Sequence, residues 1–140
     1  MNQSSTIADR AARILIVDDQ PLNRQLIEVL LSREGFELLM ASGGEEALAI
    51  VADAPPDIIL LDVMMPGMSG YEVAARLKGN DATKHIAIIM ISALHDHQSR
   101  EHGLLAGIDD YFGRPVDRSE LMARIRALLD RKGLGGGRSS

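Results

Sequence analysis

The sequence predicts an α/β domain, a doubly wound parallel sheet with helices on both faces, and three observations carry that prediction. Short apolar runs rich in Ile, Leu and Val recur along the chain, and three of them close abruptly on an acid or a hydroxyl. Between the runs lie longer segments whose apolar residues keep helical spacing, so strand and helix alternate. Hydrophobic residues make up 46% of the chain but aromatics only 3%, so the core must be built from aliphatic side chains and Met, which suits a sheet between helices. At 140 residues there is material for one domain with a real core.

Residues 1–12 are polar and uncapped and are expected to be a flexible leader. The domain is expected over 13–132. Arg13-Ile14-Leu15-Ile16-Val17 is a β-branched run that closes on Asp18-Asp19, and Pro21 suits the first position of a helix reaching about Arg33. Leu22, Leu26, Ile27, Val29, Leu30 and Leu31 are its expected inward positions, and Gly35 is placed to stop it. Phe36 to Ala41 is the second strand. Glu45-Glu46 gives the next helix an acidic first turn; Ala47, Leu48, Ile50, Val51 and Ala54 form its buried stripe, and Pro55-Pro56 ends it. Asp57 to Leu61 is the third strand, followed by a Met-Pro-Gly-Met-Ser-Gly loop and a helix capped by Ser69 with Tyr71, Val73, Ala74 and Leu77 inward. Ile86 to Ile91 is the fourth strand and ends on Ser92. A weakly amphipathic helix ending at Gly107 precedes the fifth strand, Ile108 to Phe112, and a last helix from Asp117 to Leu129 buries Leu121, Ile125, Leu128 and Leu129. Residues 133–140 have the composition of a flexible Gly/Ser-rich tail or linker.

Bulk properties narrow the function. The absence of cysteine rules out disulfides and thiolate metal sites. Neither an export signal nor a run long enough to span a bilayer is visible, so a cytoplasmic protein without membrane contact is expected. A net charge of −5 argues against direct nucleic-acid binding, which needs clustered cations.

The chemistry collects at the strands' carboxyl ends, where open parallel sheets bind ligands. Asp18 and Asp19 follow the first strand, Asp62 the third, Ser92 the fourth and Arg114 the fifth. Singly, each has a structural reading as cap, turn former or surface cation; only their joint placement is informative. Neighbouring carboxylates repel unless a cation joins them, and an all-oxygen site of this kind suits Mg²⁺. A carboxylate nucleophile, Mg²⁺, a hydroxyl and a cation together point to phosphoryl transfer, with Asp62 as nucleophile and Ser92 and Arg114 on the remaining phosphoryl oxygens.

On the pieces Ile16-Val17-Asp18-Asp19, Leu61-Asp62-Val63-Met64-Met65-Pro66-Gly67-Met68-Ser69-Gly70, Ser92-Ala93 and Asp110-Tyr111-Phe112-Gly113-Arg114-Pro115, the chain resembles the receiver domain of bacterial two-component response regulators. The resemblance covers about Arg13 to Arg131 and implies a flavodoxin-like five-stranded sheet in the order 2-1-3-4-5 with five helices. It implies that Asp62 accepts a phosphoryl group from a sensor histidine kinase or histidine phosphotransfer protein. Asp19, Asp62 and the Met64 backbone carbonyl would ligate Mg²⁺, with Asp18 helping through water; Ser92 and Tyr111 would form the switch pair. Such a protein is not a conventional enzyme, but it catalyses its own phosphorylation and dephosphorylation. Its partners would dock on the fourth helix, fifth strand and fifth helix, where a homodimer could also form, and an output domain could follow the C-terminus. In one departure, the family's usual Lys before the proline is Arg114, expected to pair with Asp62 or Asp18 and to keep their pKa values from rising.

Rival readings are weaker. A haloacid-dehalogenase-like phosphatase needs a second carboxylate where this chain has Met64, and a flavodoxin-like redox module would find phosphate repelled by Asp18-Asp19. A degenerate receiver acting as a phosphorylation-independent interaction module rests on Arg114 alone. His95, His97 and His102 are expected to be solvated rather than metal-binding, Met64, Met65 and Met68 to pack around the site, and Arg124, Arg126, Arg131 and Lys132 to form a solvated helix face.

Overall fold

The computed structural model describes residues 11–92 and 107–133. Within these, strands β1 (Arg13–Val17), β2 (Glu37–Ala41), β3 (Ile58–Asp62), β4 (Ala87–Ser92) and β5 (Asp110–Gly113) alternate with helices α1 (Pro21–Leu31), α2 (Gly44–Asp53), α3 (Gly70–Lys78) and α4 (Arg118–Arg131). The helix expected before Gly107, the three loop histidines and most of the leader and tail lie outside the described residues.

The strands form one parallel sheet in the order β2-β1-β3-β4-β5. Side chains alternate between its faces, as a strand's period of two requires. Ile14, Ile16, Ile58, Leu60, Ile89 and Ile91 pack against Ile27 and Leu31 of α1 and Leu121, Ile125 and Leu128 of α4. Leu15, Val17, Ile59, Leu61, Ile88 and Met90 face Ala47 and Val51 of α2 and Val73, Ala74 and Leu77 of α3. Covered on both faces, β3 and β4 are buried at every residue, which accounts for their unbroken apolar runs.

Helix α1 departs from expectation. Only Ile27 and Leu31 are buried, while Leu22, Leu26 and Val29 are 77%, 51% and 68% exposed. Ile27 and Leu31 lie four apart on the face toward the sheet, whereas Leu22, Leu26 and Val29 form a second stripe at the same period. A helix lying on a sheet buries one such stripe. The helix also stops two residues before Arg33, and positive φ at Gly35 (80°) turns the chain toward β2.

Asp residues at the sheet's amino edge do structural work. Asp57 accepts from the Arg13 amide at 2.7 Å and Asp109 from the Ile88 amide at 2.7 Å, each tying its own strand to a neighbour's first residues. Along α4, Arg124, Arg126 and Arg131 lie on an exposed face as expected, the first two with partners, and Lys132 just beyond the helix is half-buried. Arg124 pairs with Asp110 at 2.9 Å and lies over the Phe112 ring, Arg126 pairs with Glu34 at 3.0 Å, and the Lys132 ammonium donates to the His85 carbonyl at 2.6 Å.

Candidate functional site

Parallel register brings the strand ends to one level. Val17 pairs with Leu61, Asp62 with Ile91 and Ser92 with Gly113, so Asp18, Asp62, Ser92 and Arg114 converge at the carboxyl edge. Asp18, Asp62 and Ser92 are buried, with 3%, 9% and 1% exposure, and Asp19 is half-buried. One carboxylate oxygen from each of Asp18, Asp19 and Asp62 falls within 4.8 Å of the others. Arg114 enters this cluster from beyond β5: its Nη2 lies 2.5 Å from Asp18 Oδ2 and 3.5 Å from Asp62 Oδ1. The Arg114 amide donates to the Ser92 carbonyl at 2.9 Å, which ties the cation's backbone to the end of β4, and the Arg114–Pro115 bond is cis.

The start of α1 holds the acidic pair. The Gln20 amide donates to Asp18 Oδ1 at 2.9 Å, the Asn23 side-chain amide approaches the same oxygen at 3.5 Å, and Arg24 donates to the Asp18 carbonyl at 2.6 Å. Sequence reasoning missed Asn23 and Arg24. Their signal was their place in the first turn after an acidic pair, but it became specific only once the helix was set against the sheet. Tyr111, expected as the switch aromatic, is half-buried on β5, in register with Met90. The methionines divide: Met65 is buried, Met68 packs on the core, but Met64 is 65% exposed, so packing does not account for it.

Burial pushes the Asp62 carboxyl up to about 6, helped by repulsion from Asp18 and Asp19 and opposed by Arg114. Arg114 therefore pairs with both carboxylates as expected yet does not keep the Asp62 pKa from rising, because desolvation of a buried carboxylate outweighs one cation. The charge of this cluster is only partly met by one cation. Three carboxylates within 4.8 Å, with oxygen as the donor element, fit a hard divalent ion such as Mg²⁺.

Comparison with known proteins agrees with this geometry. Residues 14–126 match the family model of the response regulator receiver domain. The chain is 45% identical over 122 residues to the phosphate regulon transcriptional regulatory protein PhoB of Pseudomonas aeruginosa, covering 87% of this chain and 53% of that protein. It is 46% identical over 118 residues to the response regulator PleD of Caulobacter vibrioides, covering 84% of this chain and 26% of that protein. The chain thus spans about half and about a quarter of these relatives. Among solved structures, a putative response regulator from Chloroflexus aurantiacus superimposes with a TM-score of 0.84 at 34% identity, covering 87% of this chain and 100% of that one. Chemotaxis protein CheY4 of Vibrio cholerae gives 0.80 at 28% identity, covering 85% and 99%.

Proposed function

We propose, from the premise that this chain belongs to the response regulator receiver domain family, that Asp62 is its phosphoacceptor and that phosphorylation there switches a docking surface. The observation that carries this is the clustering of Asp18, Asp19 and Asp62 around a strand-end carboxylate, with Arg114 beside it. A carboxylate oxygen of Asp62 attacks the phosphorus of a phosphohistidine; the O–P bond forms as the P–N bond breaks, and the imidazole leaves with its electron pair and takes up a proton. Only the ionised carboxylate attacks, and with a pKa of about 6 Asp62 is mostly ionised at neutral pH. Asp18, Asp19, Asp62 and the Met64 backbone carbonyl would hold Mg²⁺, which when bound neutralises charge on the phosphoryl oxygens. Arg114 and the Ser92 hydroxyl take the remaining oxygens, and Tyr111 follows Ser92 into the phosphorylated arrangement. Attack by water on the same phosphorus breaks the bond to the Asp62 oxygen, releases inorganic phosphate and returns Asp62 to its free carboxylate.

The donor on this reading is a sensor histidine kinase or a histidine phosphotransfer protein, which places the chain in the cytoplasm. Among the described residues no helix is long and apolar enough to cross a membrane. An output domain beyond the C-terminus and a phosphorylation-dependent homodimer belong to the same proposal. A contact-only, degenerate receiver has no observation in its favour, since Arg114 reaches both carboxylates. Incubation with acetyl phosphate and Mg²⁺ should add one phosphoryl group by intact mass. Chelating the metal or introducing Asp62→Asn should abolish it; undiminished incorporation in the Asn variant would sink the assignment.

A further inference from the structure

The loop that follows Asp62 returns to touch the backbone it left. Gly70, the first residue of α3, donates its amide to the Val63 carbonyl at 2.9 Å. A Cβ on Gly70 would lie 2.2 Å from the Asp62 carbonyl oxygen, 3.0 Å from the Asp62 carbonyl carbon and 3.1 Å from the Val63 Cα. All three are backbone atoms, so no side chain could rotate aside, and relief requires a shift of roughly an ångström to restore ordinary van der Waals contact. From the other side, a Cβ on Gly44, the first residue of α2, would meet Met68 Cβ, Met68 Sδ and Val73 Cγ2, each at 2.9 Å. Met68 belongs to the same loop. The two glycines therefore press the loop from separate helices, one at its closing end and one at its flank.

Space rather than conformation explains them. Gly67, in the same loop, has a φ of +76° and nothing within 4 Å of its would-be Cβ, which is the pattern of a turn glycine. Gly70 and Gly44 are not among the glycines with positive φ. Each is the first residue of its helix, a position whose backbone any residue adopts.

We propose that Gly70 and Gly44 are positioning residues: their bare faces set the place of the Asp62 backbone and of the Met64 carbonyl, and with them the divalent-metal site and the attacking carboxylate. The metal and phosphoryl roles rest on the function proposed above; the contacts do not. A misplacement of about an ångström at a reacting group can cost on the order of a hundredfold in rate.

The test compares Gly70→Ala, Gly44→Ala and Gly43→Ala, the last in extended backbone (φ −171°) with nothing within 4 Å of its Cβ. Mg²⁺ affinity is followed by amide chemical shifts without any phosphodonor, phosphorylation by acetyl phosphate at saturating Mg²⁺, and folding by thermal unfolding. Gly70→Ala should fold, bind Mg²⁺ about tenfold or more weakly and phosphorylate at least tenfold more slowly, with shifts concentrated at Val63 and Met64. Gly44→Ala should show a several-fold loss, because part of its clash is with a movable Met, and Gly43→Ala, whose change at the N-cap of α2 touches stability alone, should match the unchanged protein in Mg²⁺ affinity and rate. A folded Gly70→Ala with unaltered Mg²⁺ affinity and rate overturns the proposal, as does an equal loss in Gly43→Ala. If Gly70→Ala does not fold, unaltered Mg²⁺ affinity in Gly44→Ala overturns it instead. Failure of the unchanged protein to label at Asp62 would count against the proposed function, while a Mg²⁺ loss confined to the two packed glycines would still support the positioning role.

Discussion

Arg114 shares one nitrogen between two carboxylates, 2.5 Å from Asp18 and 3.5 Å from Asp62, so a divalent ion entering this cluster competes with a resident cation. Lysine would place a compact, strongly hydrated ammonium there instead of a planar guanidinium. Arg114→Lys should therefore bind Mg²⁺ several-fold more tightly and phosphorylate faster; a slower Lys form with weaker Mg²⁺ binding would show that Arg114 is an adapted ligand. Arg114→Met removes the cation that lowers the Asp62 pKa and should push it above about 6, visible in a carboxyl carbon titration by NMR. The same shift affects stability in the metal-free protein. Because the folded-state pKa of about 6 exceeds the ordinary value of 3.8, the folded protein holds its proton longer. Stability therefore falls as pH rises between these values and stays lowered above them. Asp62→Asn should remove that penalty, stabilising the protein above pH 6 by about 1–3 kcal/mol and by little near pH 4, as read by chemical denaturation in EDTA. Equal effects at both pH values would contradict the burial argument. Asp18, Asp19 and Asp62 were legible in the sequence because an acid that ends an apolar run is conspicuous. Asn23 and Arg24 were not, because their reach depends on how α1 lies on the sheet, and Gly70 was not, because its reason is a distance to a backbone oxygen.

Among the elements, the strands were the most legible, since burial on both faces leaves an unbroken apolar run, although Phe36, Asp57 and Ile86 fall just outside β2, β3 and β4, and Ile108 and Asp109 precede β5. Helix α1 misled because it carries two apolar stripes and the sheet covers one. Charge alone does not reveal a partner distant in sequence: Arg118 and Arg126 both pair with Glu34, and Arg118 also donates to the Leu30 carbonyl at 2.9 Å near the end of α1. The start of α4 is held by Asp117, which accepts from the Glu120 amide at 2.8 Å. Asp117→Ala should cost about 1 kcal/mol of stability by urea denaturation while Asp117→Asn costs little, since Asn also caps helix starts well. Equal losses in the two would mean that the carboxylate acts through something other than the cap.

At the scale of the whole molecule, one sheet separates two kinds of acid: Asp57 and Asp109 bind backbone amides at the amino edge, and Asp18, Asp19 and Asp62 crowd together at the carboxyl edge. The first set spends its charge on the fold. The second leaves charge that Arg114 meets in part. The cluster at the carboxyl edge was readable from the runs its acids follow, while the amide contacts of Asp57 and Asp109 and the extent to which Arg114 already fills the cluster were not. If phosphorylation reshapes the outer surface through Ser92 and Tyr111, the phosphorylated protein should sediment as a larger species, and identical sedimentation of the two forms would count against a dimer. The most direct measurement is to locate the phosphoryl group. The protein is phosphorylated with acetyl phosphate and Mg²⁺, and the acyl phosphate is reduced with borohydride, which turns a phosphorylated aspartate into homoserine. Peptide mass mapping then finds the converted residue. Homoserine at position 62, with Asp18 and Asp19 unchanged, is the expected result; conversion at 18 or 19, or none at 62 despite incorporated phosphate, would contradict it.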